Sequence, residues 1–353
     1  FLKNMKSIYL KSNKKYSKKK ILVVLLQIHP ERTIMDCLIS KDLQKFHDFE
    51  ITALIKKNDH LSKNIAQSFG INRFVYYQEG NIIDRIKSLL MAIDLINHNE
   101  IEKKLIKLKL FGYEIGKTAY ENYLRFYNFN HLKKNRFLLY TCLSKSLLAT
   151  KFSKNIFREN YEVCVMGELQ YIPYRPLFHC ALKNKVPVYN LRGTAALNYM
   201  GRLYKNYKDR NSHQLKYSVK LSLLLSKILR NNKDVRFFDK EKKANFIGKD
   251  KIWAAQKSYK HLNFKNKNEF NKYFDFNDKK KTVLLLPHAM ADNLYNNEWN
   301  IFENPYNWFF ETLNQIQKIN NVNWIIKPHP SENEFKGVKA KQIYNDLNIN
   351  QKN

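Results

Sequence analysis

Ile21-Leu22-Val23-Val24-Leu25-Leu26 is an unbroken apolar run between the lysine-rich stretch 14–20 and the break at His29-Pro30. A half-buried strand or an amphipathic helix would interrupt such a run with polar residues. A run this short and this uniform predicts a strand buried on both faces, as at the centre of a parallel sheet. Residues 32–46 follow as an amphipathic helix, 51–55 as a second strand, and 61–69 as a helix stopped by Gly70. Phe74-Val75-Tyr76-Tyr77 reads as a third strand. This alternation is the rhythm of a doubly wound α/β sheet.

Further along, 81–126 reads as helical with a break at Gly112, and 161–166 as a strand closed by Gly167. Residues 177–182 then give a helix and 186–189 a short strand. The stretch 214–229 places apolar residues at helical spacing, with Lys216, Lys220, Lys227 and Arg230 on the other side. A polar stretch rich in lysine and asparagine spans 231–281. A second unit begins at Thr282, where Val283-Leu284-Leu285-Leu286 reads as a buried strand ended by Pro287. A helix over 306–319 turns Trp308, Phe309, Leu313 and Ile316 to one face, and Val322 to Lys327 form the next strand. This is a βαβ unit, expected to be parallel with a right-handed crossover. The expected organisation is therefore a basic segment 1–20, a Rossmann-like domain 21–230 with helical insertions, a polar connection 231–281, and a partial Rossmann-like domain 282–353.

The net charge is +32 over 353 residues. Taken alone, it suggests a polyanionic partner. Abundant Lys, Asn, Ile, Tyr and Phe with only 9 glycines also fits an AT-rich coding sequence that fills surface positions with lysine. The basic residues are scattered along the chain and form no nucleic-acid arm, so no nucleic acid is expected as a partner. A basic nucleic-acid-binding protein stays as the alternative from another class. Cys37, Cys142, Cys164 and Cys180 make no CxxC and no metal-ligand spacing with histidine. They read as core thiols of a reducing cytoplasm. No dinucleotide, ATP-loop or zinc-protease motif occurs, and no apolar run reaches the ~20 residues that cross a bilayer. Phe1 and the polar stop at Asn353 lead us to expect a piece of a longer chain.

Two polar clusters occupy equivalent places in the second unit. His288, Asp292 and Asn293 follow its first strand, and Lys327, His329, Ser331 and Glu332 follow its second. Carboxyl ends of parallel strands share an edge where ligands bind. A lysine and two histidines there suit a phosphate or diphosphate. A lone histidine after a strand is commonly a turn residue; a Lys-Pro-His-Pro run is less easily explained that way. Pro328 and Pro330 stiffen the loop, while Trp308 and Trp324 read as core.

The stretch from Pro287-His288-Ala289-Met290-Ala291-Asp292 through Phe302 and Asn304-Pro305-Tyr306-Asn307-Trp308 to Lys327-Pro328-His329-Pro330-Ser331-Glu332 resembles the capsule and surface polysaccharide biosynthesis glycosyltransferases. Weaker likeness lies in Phe111-Gly112-Tyr113-Glu114-Ile115-Gly116 with Tyr120, Tyr123, Leu124 and Arg125, where Lys117 stands in place of the family's acidic residue, and in Glu168 and Tyr171. The resemblance covers roughly 105–335. It implies the GT-B fold, two Rossmann-like domains facing a cleft, the first on the acceptor side and the second, incomplete here, on the donor side. It also implies that Lys327 and His329 contact donor phosphate. Related enzymes continue with a strand, a Gly-Thr loop and a glutamate-bearing helix. The chain stops before them, so a fragment ending here is expected to lack much of its donor pocket.

The sequence thus leads us to expect a glycosyltransferase moving a sugar from a nucleotide-sugar donor to a lipid-linked or polysaccharide acceptor. His288, Lys327, His329, Ser331 and Glu332 form the donor set, and Glu168 or Asp292 is the base. No cofactor and no metal are expected. Polyol-phosphate transfer of the teichoic acid type is the enzymatic alternative. The expected location is the cytoplasm; the helix over 214–230 is open to two readings, an ordinary amphipathic helix packed on its sheet or a dock on the anionic inner membrane face.

Overall fold

The apolar run forms β1 (Lys20–Val24), whose residues Ile21 to Val24 are wholly buried. A computed structural model describes residues 19–27, 29–96, 105–126, 135–192, 200–211, 264–290, 301–302, 304–329, 332 and 337–347. The chain divides into two units, 1–122 with 136–211 and 123–135 with 212–353.

The first unit is an α/β fold on a six-stranded sheet of order β3-β2-β1-β4-β5-β6. Its strands are β1, β2 (Glu50–Lys56), β3 (Arg73–Tyr77), β4 (Tyr161–Met166), β5 (Val188–Arg192) and β6 (Met200–Tyr204). All neighbouring pairs are parallel except β5 with the edge strand β6. The chain builds outward from β1 through α1 (Pro30–His47), β2, α2 (His60–Ser68) and β3. It then passes through α3 (Ile82–Ile96), α4 (Ile115–Phe126) and α5 (Arg136–Ile156), and returns to the other side of β1 as β4. α6 (Tyr174–Lys183) precedes β5. The strand order therefore reverses between β1 and β4, the switch point where such sheets bind ligands.

Gly70 ends α2 as expected, at φ 73°, with Ile71 N–H donating to Ala66 O. α5 and β6 have no counterpart in the sequence reading. The buried face of α5 mixes apolar Leu139, Leu143, Leu148 and Ile156 with Ser144, Ser146, Thr150 and Ser153. Ser153 and Thr150 donate to carbonyls four residues back, and Ser146 donates to Ile115 O. Small hydroxyls that satisfy themselves on backbone carbonyls pack tightly and interrupt the apolar spacing. The four cysteines are all buried and free.

In the second unit, β7 (Lys281–Leu285) and β8 (Val322–Ile326) form a separate two-stranded parallel sheet. α8 (Pro305–Ile316) packs on it through Tyr306, Phe309, Leu313 and Ile316, with α9 (Ala340–Asp346) adding Ile343. Asn304 caps α8 by accepting from Asn307 N–H, and Pro305 opens the first turn. α7 (Lys267–Tyr273) and its flanks gather Phe264, Phe270, Phe274 and Phe276 into one ring cluster. That segment is tied to β8 where Asn323 donates to Asn277 O at 2.9 Å. β7 is not the buried strand expected: Leu284 and Leu286 are more than half exposed. Among the described residues, the core of α8 and α9 gathers side chains from one face of this sheet only. No helix among the described residues is long and apolar enough to cross a membrane. The stretch 214–230, with its two readings, lies outside the described residues.

A buried ion pair ties α4 to α6: Arg175 Nη2 lies 2.8 Å from Glu121 Oε2, both side chains almost wholly enclosed. Removing one partner strands a buried charge and costs about 3–5 kcal/mol. Glu121→Leu should lower the urea midpoint strongly, and Glu121→Leu with Arg175→Leu should recover much of the loss. Equal midpoints for the wild type and the single variant would show that the pair does not hold these helices.

Candidate functional site

At the switch point, Gln27 follows β1 and Gly167 and Glu168 follow β4. Asp36, nearly two turns into α1, is buried between them. Its Oδ2 accepts from Gln27 Nε2 at 3.1 Å, and the carboxyl also accepts from Gly167 N–H. Burial pushes the Asp36 carboxyl up to about 8, against the smaller opposing pull of the Gly167 N–H and of Arg32. A Cβ on Gly167 would overlap Gln27 Nε2 and lie 2.9 Å from Asp36 Oδ2, so any larger residue here must push this buried pair aside. Asn190 on β5 donates to Met166 O at 2.7 Å and fixes the end of β4 from its other side.

Glu168 stands at the rim of this cluster. Its Oε1 accepts from Leu169 N–H and Gln170 N–H, both at 2.8 Å, and its Oε2 faces Arg32 at 3.9 Å. The carboxylate is thereby oriented, with one oxygen fixed by backbone and the other toward the half-exposed Arg32. Tyr174 lies close to Glu168 and Asp36, and burial raises its hydroxyl above the ordinary tyrosine range. Beside them, a cleft of about 210 Å3 opens between Gln27, Thr33, Lys56, Asp59 and Ser62. Asp59 is engaged there as the cap of α2, accepting from Ser62 N–H.

The second cluster lies at the carboxyl ends of β7 and β8. Lys327 N–H donates to Leu285 O at 3.0 Å, extending the ladder to the base of both loops. Ala289 and Met290 are buried, and Met290 joins the core around Phe309. That anchor leaves the intervening His288 exposed. Its ring lies 6.0 Å from that of His329, centroid to centroid, and Lys327 and His329 are exposed as well. The structure therefore brings His288 and His329 together at one sheet edge. Asp292 and Ser331 lie outside the described residues.

Glu332 behaves differently from the other donor-set residues. It is buried, and its Oε1 accepts from Ala340 N–H at 2.6 Å, at the first turn of α9. Burial raises its carboxyl above the usual range, with Ala340 N–H and Lys339 pulling the other way. Glu332 thus holds a helix end, and this carboxylate oxygen is not turned to the loops. Glu332 N–H also donates to His329 O at 2.9 Å. Among the described residues, no three His, Cys, Asp or Glu side chains converge to hold a metal ion. No protein-family model, curated protein or solved structure matches the chain.

Sequence reading missed Gln27, Arg32 and Asp36, because a switch point exists only once the strand order is known. Asp36 gives a sharp expectation. The folded protein keeps this proton to about pH 8, whereas the unfolded chain releases it near 3.8. Stability is therefore unaffected below pH 4, falls between about 4 and 8, and levels off above. The fall is at most about 1.4 kcal/mol per pH unit. Asp36→Asn should flatten that segment in chemical denaturation at stepped pH; parallel curves for the two proteins would refute the assignment. Gly167→Ala should destabilise by about 1–3 kcal/mol through overpacking against Gln27 and Asp36, read from the same unfolding curves.

Proposed function

We propose that this chain is a glycosyltransferase of the GT-B kind, moving a sugar from a nucleotide-sugar donor to a surface polysaccharide or its lipid-linked precursor. The observation that carries the reading is the His288–His329 pair at the ends of adjacent parallel strands, with Lys327 at the base of the same loop. Rings 6.0 Å apart are too distant to bond each other directly, but a phosphate oxygen can accept from both. Lys327 contributes a point charge. Together they stabilise the diphosphate as its bond to the sugar breaks, when negative charge grows on the leaving oxygen.

The acceptor hydroxyl must lose a proton as it attacks. Glu168 or Asp292 takes it, and for Glu168 the oxygen nearer Arg32 is the one not fixed by backbone N–H groups. The switch-point cluster of Gln27, Asp36 and Gly167 holds the strand end that carries Glu168. The GT-B arrangement, in which two such units face a cleft, belongs to this proposal.

The test is release of nucleoside diphosphate from a panel of nucleotide-sugars, with polyprenyl-phosphate and polysaccharide acceptors. Turnover is expected with at least one sugar donor. His329→Ala should lower it about 100- to 1,000-fold, the loss typical of one charged transition-state hydrogen bond, with unfolding midpoints unchanged. Release of cytidine monophosphate from a cytidine-diphosphate polyol, with no nucleoside diphosphate from any sugar donor, would replace the proposal with polyol-phosphate transfer. Normal transfer by His329→Ala would remove the pair from the reaction.

A further inference from the structure

α3 carries an apolar stripe that joins no core cluster among the described residues. Ile82, Ile83, Ile86 and Leu90 are each more than half exposed. At about 100° per residue these four fall on one side of the helix, with Arg85 to one flank and Lys87 to the other. The opposite face, with Ser88, Ala92 and Ile96, is buried, and Ser88 bonds Ser144 of α5 at 2.9 Å. The stripe is therefore an outward surface of a helix that is already docked.

A groove of about 410 Å3 opens beside it, sharing Lys87 and Met91 with α3. Its floor is apolar, with Phe111, Ile115, Leu147 and Leu148, and its rim carries Lys151, Lys154 and Arg158. Lys154 lies over the Phe111 ring at 4.6 Å, and Lys151 pairs with Asp84 at 2.6 Å. Counting Arg85 and Lys87, five cations surround the stripe and groove; the carboxylates on α3 are Asp84, already paired, and Asp94. Apolar side chains bordered by cations on both flanks complement an anionic lipid surface, where the apolar groups enter the acyl boundary and the cations meet phosphates. The 15 residues of α3 extend about 22 Å, short of the ~30 Å of a hydrocarbon core, so the helix lies in the interface plane.

We propose that the α3–α5 face of the first unit docks on an anionic phospholipid bilayer, with Ile82, Ile83, Ile86 and Leu90 inserted and Arg85, Lys87, Lys151, Lys154 and Arg158 on the headgroups. This holds whatever reaction the chain catalyses. A chain of net charge +32 binds anionic vesicles loosely anywhere, so the test must separate insertion from attraction. The whole chain is floated with phosphatidylcholine vesicles, with and without phosphatidylglycerol. Recovery is expected with phosphatidylglycerol and not without it. Ile86→Asp with Leu90→Asp, both on the surface, should weaken that binding about tenfold or more while the unfolding midpoint stays unchanged. Because all four native cysteines are buried, Leu90→Cys accepts an environment-sensitive fluorophore selectively, and its emission should shift to the blue on phosphatidylglycerol vesicles. Undiminished binding by the double variant, equal recovery on phosphatidylcholine alone, or an unshifted fluorophore each overturns the proposal. So does a wild-type dimer in gel filtration that the double variant makes monomeric, which would give the face to a second copy.

Discussion

Burial of β1 on both faces is the constraint from which the first unit follows. With Ile21 to Val24 fully enclosed, helices must cover the sheet on both sides. Parallel strands can be joined only by crossovers, and right-handed crossovers set where each helix lies. Outward growth through β2 and β3, then return to β4, leaves the ends of β1 and β4 side by side with no helix crossing between them. Chain connectivity alone thus creates the crevice that gathers Gln27, Asp36, Gly167 and Glu168.

The helices that cover this sheet do so with an unusual share of polar atoms. α1 buries Thr33, Asp36, Ser40, Lys41 and Gln44, and α5 buries four hydroxyl side chains. Ser40 donates to Asp36 O, Gln44 donates to Phe49 O, Ser146, Thr150 and Ser153 donate to backbone carbonyls, and Ser144 bonds Ser88 Oγ. A buried polar group satisfied this way loses little relative to water, whereas an orphan costs about 1–3 kcal/mol. Asp36 is the exception in kind. It is enclosed beyond what its bonds offset, and it keeps its proton into the neutral range.

This division explains what was legible in the sequence. β1, β2, β3, β4, β7 and β8 announced themselves as short apolar runs; in β1, β2 and β4 the composition reflects burial, whereas β7 is largely exposed. α2 was legible through Gly70, and the start of α8 lies at the Asn304-Pro305 step, whose cap chemistry is local. α5 was not, since Ser144, Ser146, Thr150 and Ser153 interrupt the apolar residues of its buried face. β6 was not, since pairing at an antiparallel edge is decided by its neighbour β5. The joint edge of His288 and His329 followed from parallel topology and is present. Glu332 shows the limit of motif reading: a residue within a polar run can be buried against a helix end that lies several residues further on.

The central claim is that His288 and His329 share one phosphate. It is tested most directly by titrating uridine diphosphate into the chain while following the side-chain nitrogens of the ten histidines. A shared phosphate shifts the imidazole signals of His288 and His329 together, with one saturation curve, and Lys327→Ala weakens both by the same factor. Shifts confined to other histidines, or separate curves for these two, would contradict it.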